Sequence, residues 1–149
     1  MENLEALKTI RGMTEQRLEG LRTEMDSISR LGLDAAAQAF FKSFPQIQTV
    51  YWHQFIPTFN DGDPCLFSVH DIHYSPLEYT DIDGPYGNQE KDEVTGYESD
   101  APAGFQEMTR EFEGFIGSIA DYLQRAYECD AFVRVHRGGV IAEYCEPAW

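Results

Sequence analysis

Residues 47–72 read IQTVYWHQFIPTFNDGDPCLFSVHDI, and this stretch decides the fold class. Its two ends, residues 47–56 and 65–72, are rich in β-branched and aromatic residues, which favour β-strands. Between them Asn60-Asp61-Gly62-Asp63-Pro64 is a run of turn-forming residues. The stretch therefore predicts an antiparallel strand–turn–strand unit.

A second hairpin is predicted near the end of the sequence. Residues 131–136 (AFVRVH) and 140–145 (VIAEYC) flank Arg137-Gly138-Gly139, and glycine accepts the positive φ of a tight turn. A two-residue turn at Gly138-Gly139 would place Arg134 opposite Glu143. It would also give the hairpin a core face composed of Val133, Val135, Val140, Ala142 and Tyr144.

The remaining segments predict helices. The first thirty residues carry apolar side chains at a spacing of three and four, interrupted by Arg11 and Thr14. One long helix and two helices meeting near Gly12, with Thr14 capping the second, are both consistent with this pattern. The apolar positions are Leu4, Leu7, Leu18, Leu21, Met25 and Ile28.

Two further helices are predicted on either side of the first hairpin. We expect Gly32 to end the N-terminal helical segment, and a short helix from Asp34 to carry Phe40, Phe41 and Phe44 up to Pro45. A regular apolar spacing from Phe105 to Ala126 predicts a third helix. The sequence thus predicts one α+β domain over residues 1–149, in the order α(α)-α-ββ-α-ββ, with an antiparallel four-stranded sheet packed against helices.

Composition places the chain among intracellular globular proteins. Hydrophobic residues make up 42% of its 149 positions, which is enough to bury a core. Its three cysteines include no CxxC pair, as expected of free thiols in a reducing compartment. The N-terminus does not resemble a signal peptide, and no apolar run approaches the roughly 20 residues of a membrane span. We therefore expect a cytoplasmic protein that does not bind membranes.

The net charge of −15 is concentrated in the middle of the chain. Residues 43–109 hold twelve acids and one base, Lys91, whereas residues 1–42 are almost balanced. Repulsion of phosphates argues against direct nucleic-acid binding. The acidic loop over residues 74–100 predicts instead a surface for a basic protein partner, with Asp81, Asp83, Glu90, Asp92 and Glu93 as the contacting acids.

Two kinds of small-ligand site are also suggested by the sequence. Arg134, His136 and Arg137 form a local basic spot that could bind an anion such as a nucleotide, together with Tyr51 and Trp52. A cross-strand Arg134–Glu143 pair would explain the same residues structurally. Asp61, Asp63, His70 and Asp71 could bind a divalent cation, although the NDGDP run is explained better by turn chemistry. No other cofactor is expected.

The first hairpin also carries a resemblance to a known family. Residues 52–69, WHQFIPTFNDGDPCLFSV, resemble a motif of uncharacterised proteins of tailed phages and bacteria, W-x-Q-[YF]-x-P-x-F-N-D-G-[DE]-x-C-x-F-x-V. The resemblance covers fewer than twenty residues. It implies a phage or bacterial origin and a strand–turn–strand unit, and it implies no activity. If the chain is encoded by a phage, its compartment is the host cytoplasm.

These observations favour a non-enzymatic, phage-like binding protein over an enzyme. It would act in counter-defence or host takeover, by blocking a host or bacterial protein through its acidic surface or by sequestering a small nucleotide-type ligand. The N-terminal segment, residues 1–31, could in addition form a homo-oligomer. The alternatives are a metal-dependent hydrolase that uses Asp61, Asp63, His70 and Asp71, and a structural or housekeeping phage protein.

Overall fold

The computed structural model of the chain describes residues 2–56, 66–84, 102–127 and 130–144. These residues form three α-helices, four β-strands and a short 3₁₀ turn. The helices are α1 (Glu2–Ser43), α2 (Phe105–Ser118) and α3 (Ala120–Tyr127). The strands are β1 (Thr49–Phe55), β2 (Ser68–Ser75), β3 (Ala131–His136) and β4 (Gly139–Tyr144), and the 3₁₀ turn is Tyr79–Asp81.

The four strands form one antiparallel sheet in the order β2-β1-β3-β4. The strands of both predicted hairpins pair as expected, and the two strand pairs join through β1 and β3. The predicted turn at residues 60–64 lies outside the described residues. Alternate residues of the central strands, including Val50, Trp52, Val133 and Val135, pack on the three helices. The α+β class and the four-stranded antiparallel sheet packed against helices are thus confirmed. The order of elements is α-ββ-αα-ββ.

Of the two alternatives for the first thirty residues, the single helix is the one that forms, whereas the predicted helix end at Gly32 is wrong, because α1 is continuous through both positions. Gly12 lies within the helix, and the hydroxyl of Thr14 donates a hydrogen bond to the carbonyl of Ile10 rather than capping a second helix. Gly32 also lies within α1. A Cβ atom there would come within 2.9 Å of Cζ of Phe115, so glycine serves the close approach of α2 rather than the end of the helix.

The helix predicted from Phe105 to Ala126 is divided in two at Ile119. The backbone of this residue leaves helical geometry, with φ −108° and ψ 21°. Its N–H contacts two carbonyls, those of Phe115 and Ile116, each at 3.2 Å, and this sharing marks the end of α2. The carbonyl of Ile119 accepts a bond from the N–H of Leu123, which begins α3.

The main core lies between the helices and one face of the sheet. At its centre Phe40 packs against other aromatic rings, among them Phe44, Tyr74 and Phe112, with ring centroids 5.2–5.4 Å apart. Trp52 is fully buried, and its Nε1 donates to the side chain of Gln54 at 3.0 Å. Gln54 in turn donates to the carbonyl of Leu123. This buried polar chain ties α3 to the middle of the sheet.

A smaller cluster covers part of the opposite face of the sheet. Tyr51 and Phe132 lie there beneath Leu77 and Ile82. Thr49 fixes the covering segment, because its hydroxyl donates to the carbonyl of Leu77 at 2.8 Å. The sheet is therefore packed on both faces over its central strands.

The register predicted for the second hairpin is wrong by two residues. Its turn is Arg137-Gly138, so Arg134 lies opposite Ile141 and Phe132 lies opposite Glu143. A shift of two residues keeps every side chain on its face, because side chains alternate along a strand. Val133, Val135 and Val140 accordingly join the core, as predicted, whereas Ala142 and Tyr144 are exposed near the end of the edge strand β4.

The first hairpin contains a bulge that the sequence did not indicate. Tyr51 pairs with His73 and His53 pairs with His70, so two residues of β2 face the single residue Trp52. Asp71 is one of the two and has φ +45°. β2 also extends to Ser75 rather than ending at residue 72.

Candidate interaction surfaces

The first surface is the N-terminal part of α1. Every residue from Glu2 to Met25 is exposed. Nine large apolar side chains of the helix are more than two-fifths exposed, including Leu7 (63%), Leu18 (57%) and Ile28 (63%). The others are Leu4, Ile10, Met13, Leu21, Met25 and Leu31. A row of large apolar side chains in water is costly, and in soluble proteins it marks an interaction surface.

Most of these side chains follow the three–four spacing predicted from the sequence. We call the surface formed by Leu4, Leu7, Arg11, Thr14, Leu18, Leu21, Met25 and Ile28 the α1 stripe. Its two polar members do not block it. The Nε of Arg11 donates to Glu15 at 2.9 Å, and Thr14 bonds to the backbone of its own helix.

The α1 stripe lies on a different side of the helix from the residues that attach it to the rest of the molecule. We call that rest, the described residues from Leu33 onward, the head. Leu33, Ala37 and Phe41 are buried in it, and Asp26 pairs with Arg125 of α3. The hydrogen bond from Arg125 lowers the pKa of Asp26. The α1 stripe is therefore left exposed when the head is complete.

The second surface is the arginine-bearing hairpin, where Arg134 is committed to structure. Its guanidinium donates to the carbonyl of Tyr79 at 3.0 Å and pairs with Glu143. It also lies over the ring of Phe132, 5.0 Å from the centroid. The cross-strand pair with Glu143 that the sequence suggested is thus present, as a diagonal contact rather than a directly opposite one. Arg134 holds the 3₁₀ turn on the sheet.

Arg137 is also used within the fold. Its guanidinium donates to the carbonyls of Pro45 at 2.9 Å, Ile47 at 3.2 Å and Phe41 at 3.4 Å. These carbonyls lie at and just beyond the end of α1, where helices leave their last acceptors unpaired. Arg137 therefore caps α1 and connects it to the turn of the second hairpin.

The five residues proposed for an anion site do not form one surface. Trp52 is fully buried on the helix side of the sheet, and Tyr51 is buried on the other side beneath Ile82. Their assignment to a ligand surface is corrected accordingly, because a bound ligand would have to displace the core to reach either ring. His136 and Arg137 line a hollow of about 210 Å³ together with Gln48, Glu78 and Tyr79.

His136 lies against the 3₁₀ turn at this hollow. Its ring stacks on that of Tyr79, with centroids 4.1 Å apart, and its Nδ1 accepts the N–H of Gly138 at 3.1 Å. Burial, and after it the positive charge of Arg134, lowers the pKa of His136 from its usual value. The neutral ring therefore suits this position better than the charged one.

The predicted acidic surface is described only in part. Asp81 and Asp83 are exposed at and just after the 3₁₀ turn. Glu90, Asp92 and Glu93 lie outside the described residues, and so does most of the acidic loop. The acidic partner surface stays a prediction.

Few of the residues proposed for the cation site are among those that the structure describes. Asp61 and Asp63 lie outside them, as does the side chain of His70. Asp71 is exposed at the bulge, beside a groove of about 510 Å³ between β2 and α2 that also contacts Glu113. The described part of the chain contains no group of three or more His, Cys, Asp or Glu residues placed to bind a metal ion.

One pairing of titratable groups was not indicated by the sequence. Nε2 of His53 lies 2.6 Å from Oδ1 of Asp130, and the imidazole packs on Phe55. The two residues are 77 positions apart, so no local pattern could have linked them. Their contact joins the end of β1 to the residue before β3.

Two further findings concern membrane-spanning helices and similarity to known proteins. Among the described helices, none combines the length and the apolar character required to cross a membrane. Comparison of the chain with protein-family models, with curated proteins and with solved structures found no match.

Proposed function

We propose that this protein is a non-enzymatic binding protein that engages an α-helical partner through the α1 stripe. The observation that carries the proposal is the exposure of nine large apolar side chains on α1, most of them at the spacing of a helix-pairing surface. A helix partner with its own apolar row would remove these side chains from water.

The different roles of the two parts of α1 support this proposal. The head uses Leu33, Ala37, Phe40 and Phe41 of α1, so the preceding three-quarters of the helix contributes little to the main core. An isolated helix in water gains little stability without packing of its apolar face. A helix this long is therefore best explained by a partner that packs on it.

The resemblance of residues 52–69 to proteins of tailed phages and bacteria supports an action inside a bacterial cell. Inside a bacterial cell the protein would block or recruit another protein. This agrees with the binding function predicted from the sequence. The two arginines offered for a nucleotide site already serve the fold, which favours the protein partner over the small anion.

Site-specific photo-crosslinking in producing cells would test the proposal. A photoreactive amino acid would replace Leu18 or Ile28 in the α1 stripe, or Gln16 or Thr23 as matched controls on exposed positions of the same helix. We expect the stripe positions to crosslink to one defined helical segment and the control positions to give none. Equal crosslinking from all four positions, or from none, would overturn the proposal.

A further inference from the structure

We propose that the helix bound by the α1 stripe belongs to a second copy of this chain, lying antiparallel with Leu18 of each copy opposite Leu21 of the other. This inference depends on the proposed function, because it names the partner of the same surface. Three features of α1 support it: the symmetry of its spacing, the contacts made by its polar members and the charges that flank it.

From Arg11 to Ile28 the three–four spacing of the α1 stripe is symmetric, and its midpoint lies between Glu19 and Gly20. In an antiparallel pair centred on that midpoint, each residue faces the one equally far from it on the other copy. Leu7 and Leu4 of one copy then reach the level of Gly32 and Ala35 of the other. The ring of Phe115 already lies against Gly32, so these two leucines meet the edge of the other copy's head.

The facing residues of this register are compatible in size and polarity. Four leucines, two from each copy, meet at the centre, and Thr14 faces Met25. Arg11 faces Ile28, and the existing bond from Arg11 to Glu15 holds its guanidinium at the edge while its aliphatic stem covers the isoleucine. No two charged residues of the row face each other.

The flanking residues form pairs of opposite charge in the same register. In heptad terms Glu15 and Arg22 occupy one flank of the row, and Arg17 and Glu24 occupy the other. In an antiparallel pair each flank faces the same flank of the other copy. Glu15 then lies beside Arg22, and Arg17 lies beside Glu24, twice each by symmetry.

The same register also accounts for two exposed apolar residues outside the row. Ile10 and Leu31 are 60% exposed each, and both lie on the flank that carries Arg17 and Glu24. Being equally placed about that flank's centre, Ile10 of one copy lies beside Leu31 of the other. Both side chains are thereby removed from water.

Other arrangements bring like charges together. Sliding the antiparallel pair by seven residues places Glu15 beside Glu15 and Arg17 beside Arg17 in one direction. In the other direction it places Arg22 beside Arg22 and Glu24 beside Glu24. A parallel pair in register would place Arg17 beside Arg22 and pack the two Arg11 side chains against each other. Like-charge contacts disfavour all three arrangements.

Charge-swap variants of the intact protein test both the partner and its orientation. Dissociation constants would be measured by analytical ultracentrifugation for the wild type, Arg17→Glu, Glu24→Arg and the double variant. Each single swap creates two like-charge contacts, and we expect it to weaken the dimer about tenfold. The double variant should recover wild-type affinity. Arg17 and Glu24 are two helical turns apart within one chain, so this recovery reports contact between copies.

Arg30→Glu is the matched control, because it makes the same change of charge at an exposed position away from the row and its flanks. We expect less than a twofold effect. A stronger dimer for Arg17→Glu would indicate the parallel arrangement and overturn the proposal, as would a double variant that stays weak. A wild-type monomer at 100 μM would also overturn it. The proposed function would then still stand if the photo-crosslinks from Leu18 and Ile28 reached another polypeptide.

Discussion

At the scale of single residues, the two arginines of the second hairpin are held in place by contacts within the fold. Arg134 and Arg137 both donate to backbone carbonyls of distant segments, 55 to 96 positions away in sequence. Guanidinium groups suit this task because they carry five donors in a rigid fork. The cluster of bases in this acidic chain is thus explained by the backbone carbonyls to which its two arginines donate hydrogen bonds.

Removing the guanidinium of Arg137 should destabilise the head. Arg137→Ala leaves the carbonyls of Phe41, Pro45 and Ile47 without their donor, and we expect a loss of about 2 kcal/mol in the free energy of unfolding. Urea denaturation followed by circular dichroism would measure it. Arg110→Ala, at an exposed position of α2, is the matched control and should change stability by less than about 0.5 kcal/mol. Equal stability of the two variants would contradict a capping role for Arg137.

His136 should make folding sensitive to mild acid. Its pKa is lowered in the folded chain, chiefly by burial, so the unfolded chain binds more protons than the folded one near pH 6. Its contribution to stability is then fully present above the usual pKa of 6.5, and it is lost as the pH falls through the lowered value. An NMR titration of the four histidines would show His136 titrating below pH 6.5. A midpoint at or above that value would refute the expectation.

At the scale of elements, α1 shows that a glycine that predicts the end of a helix can instead lie inside one. Gly12, Gly20 and Gly32 all lie inside the helix, but only Gly32 is close to another element. From the sequence, Gly32 predicted a helix end, since glycine favours that position. Its actual reason, contact with the ring of Phe115, depends on a residue 83 positions later that no local pattern reveals.

Alanine substitutions should separate these roles. Gly20→Ala adds a methyl group in open space, and we expect it to stabilise α1 by up to about 1 kcal/mol. Gly32→Ala should lose that gain, because its Cβ would lie 2.9 Å from the Phe115 ring. Hydrogen exchange of the α1 amides would measure both. In the Phe115→Leu background the smaller side chain should restore the gain at residue 32. An equal gain for both alanines in the wild-type background would disprove the close contact.

The strands were more predictable than their register. β-branched and aromatic runs bounded by turn residues indicated all four strands, because such patterns are local. The turn of the second hairpin was misplaced because Arg137-Gly138 and Gly138-Gly139 both supply a two-residue turn, and both put the same side chains on the core face. The α1 stripe was visible from spacing alone. The contact of His53 with Asp130 was not, because it joins segments that meet only in the folded chain.

At the scale of the whole molecule, the acidic charge is separated from the proposed association surface. Residues 1–42 carry a net charge of −1, whereas the chain carries −15. In the antiparallel dimer each head begins near the level of Asp26, so the two heads are about 20 Å apart along the helix axis. That distance exceeds the Debye length of about 10 Å at 0.1 M salt. Repulsion between the heads should therefore contribute little to the dissociation constant at ordinary ionic strength.

Salt should consequently have little effect on the dimer but a clear effect on its charge-swap variant. We expect the wild-type dissociation constant to change less than about threefold between 0.1 and 0.5 M NaCl, because apolar contacts dominate and exposed pairs contribute little. The tenfold penalty of Arg17→Glu should shrink over the same range, since it arises from exposed like charges. Sedimentation of both proteins at the two salt concentrations would measure this. A wild-type dimer that weakens more than tenfold would instead place the association on charged surfaces, because only contacts between exposed charges are screened that strongly by salt.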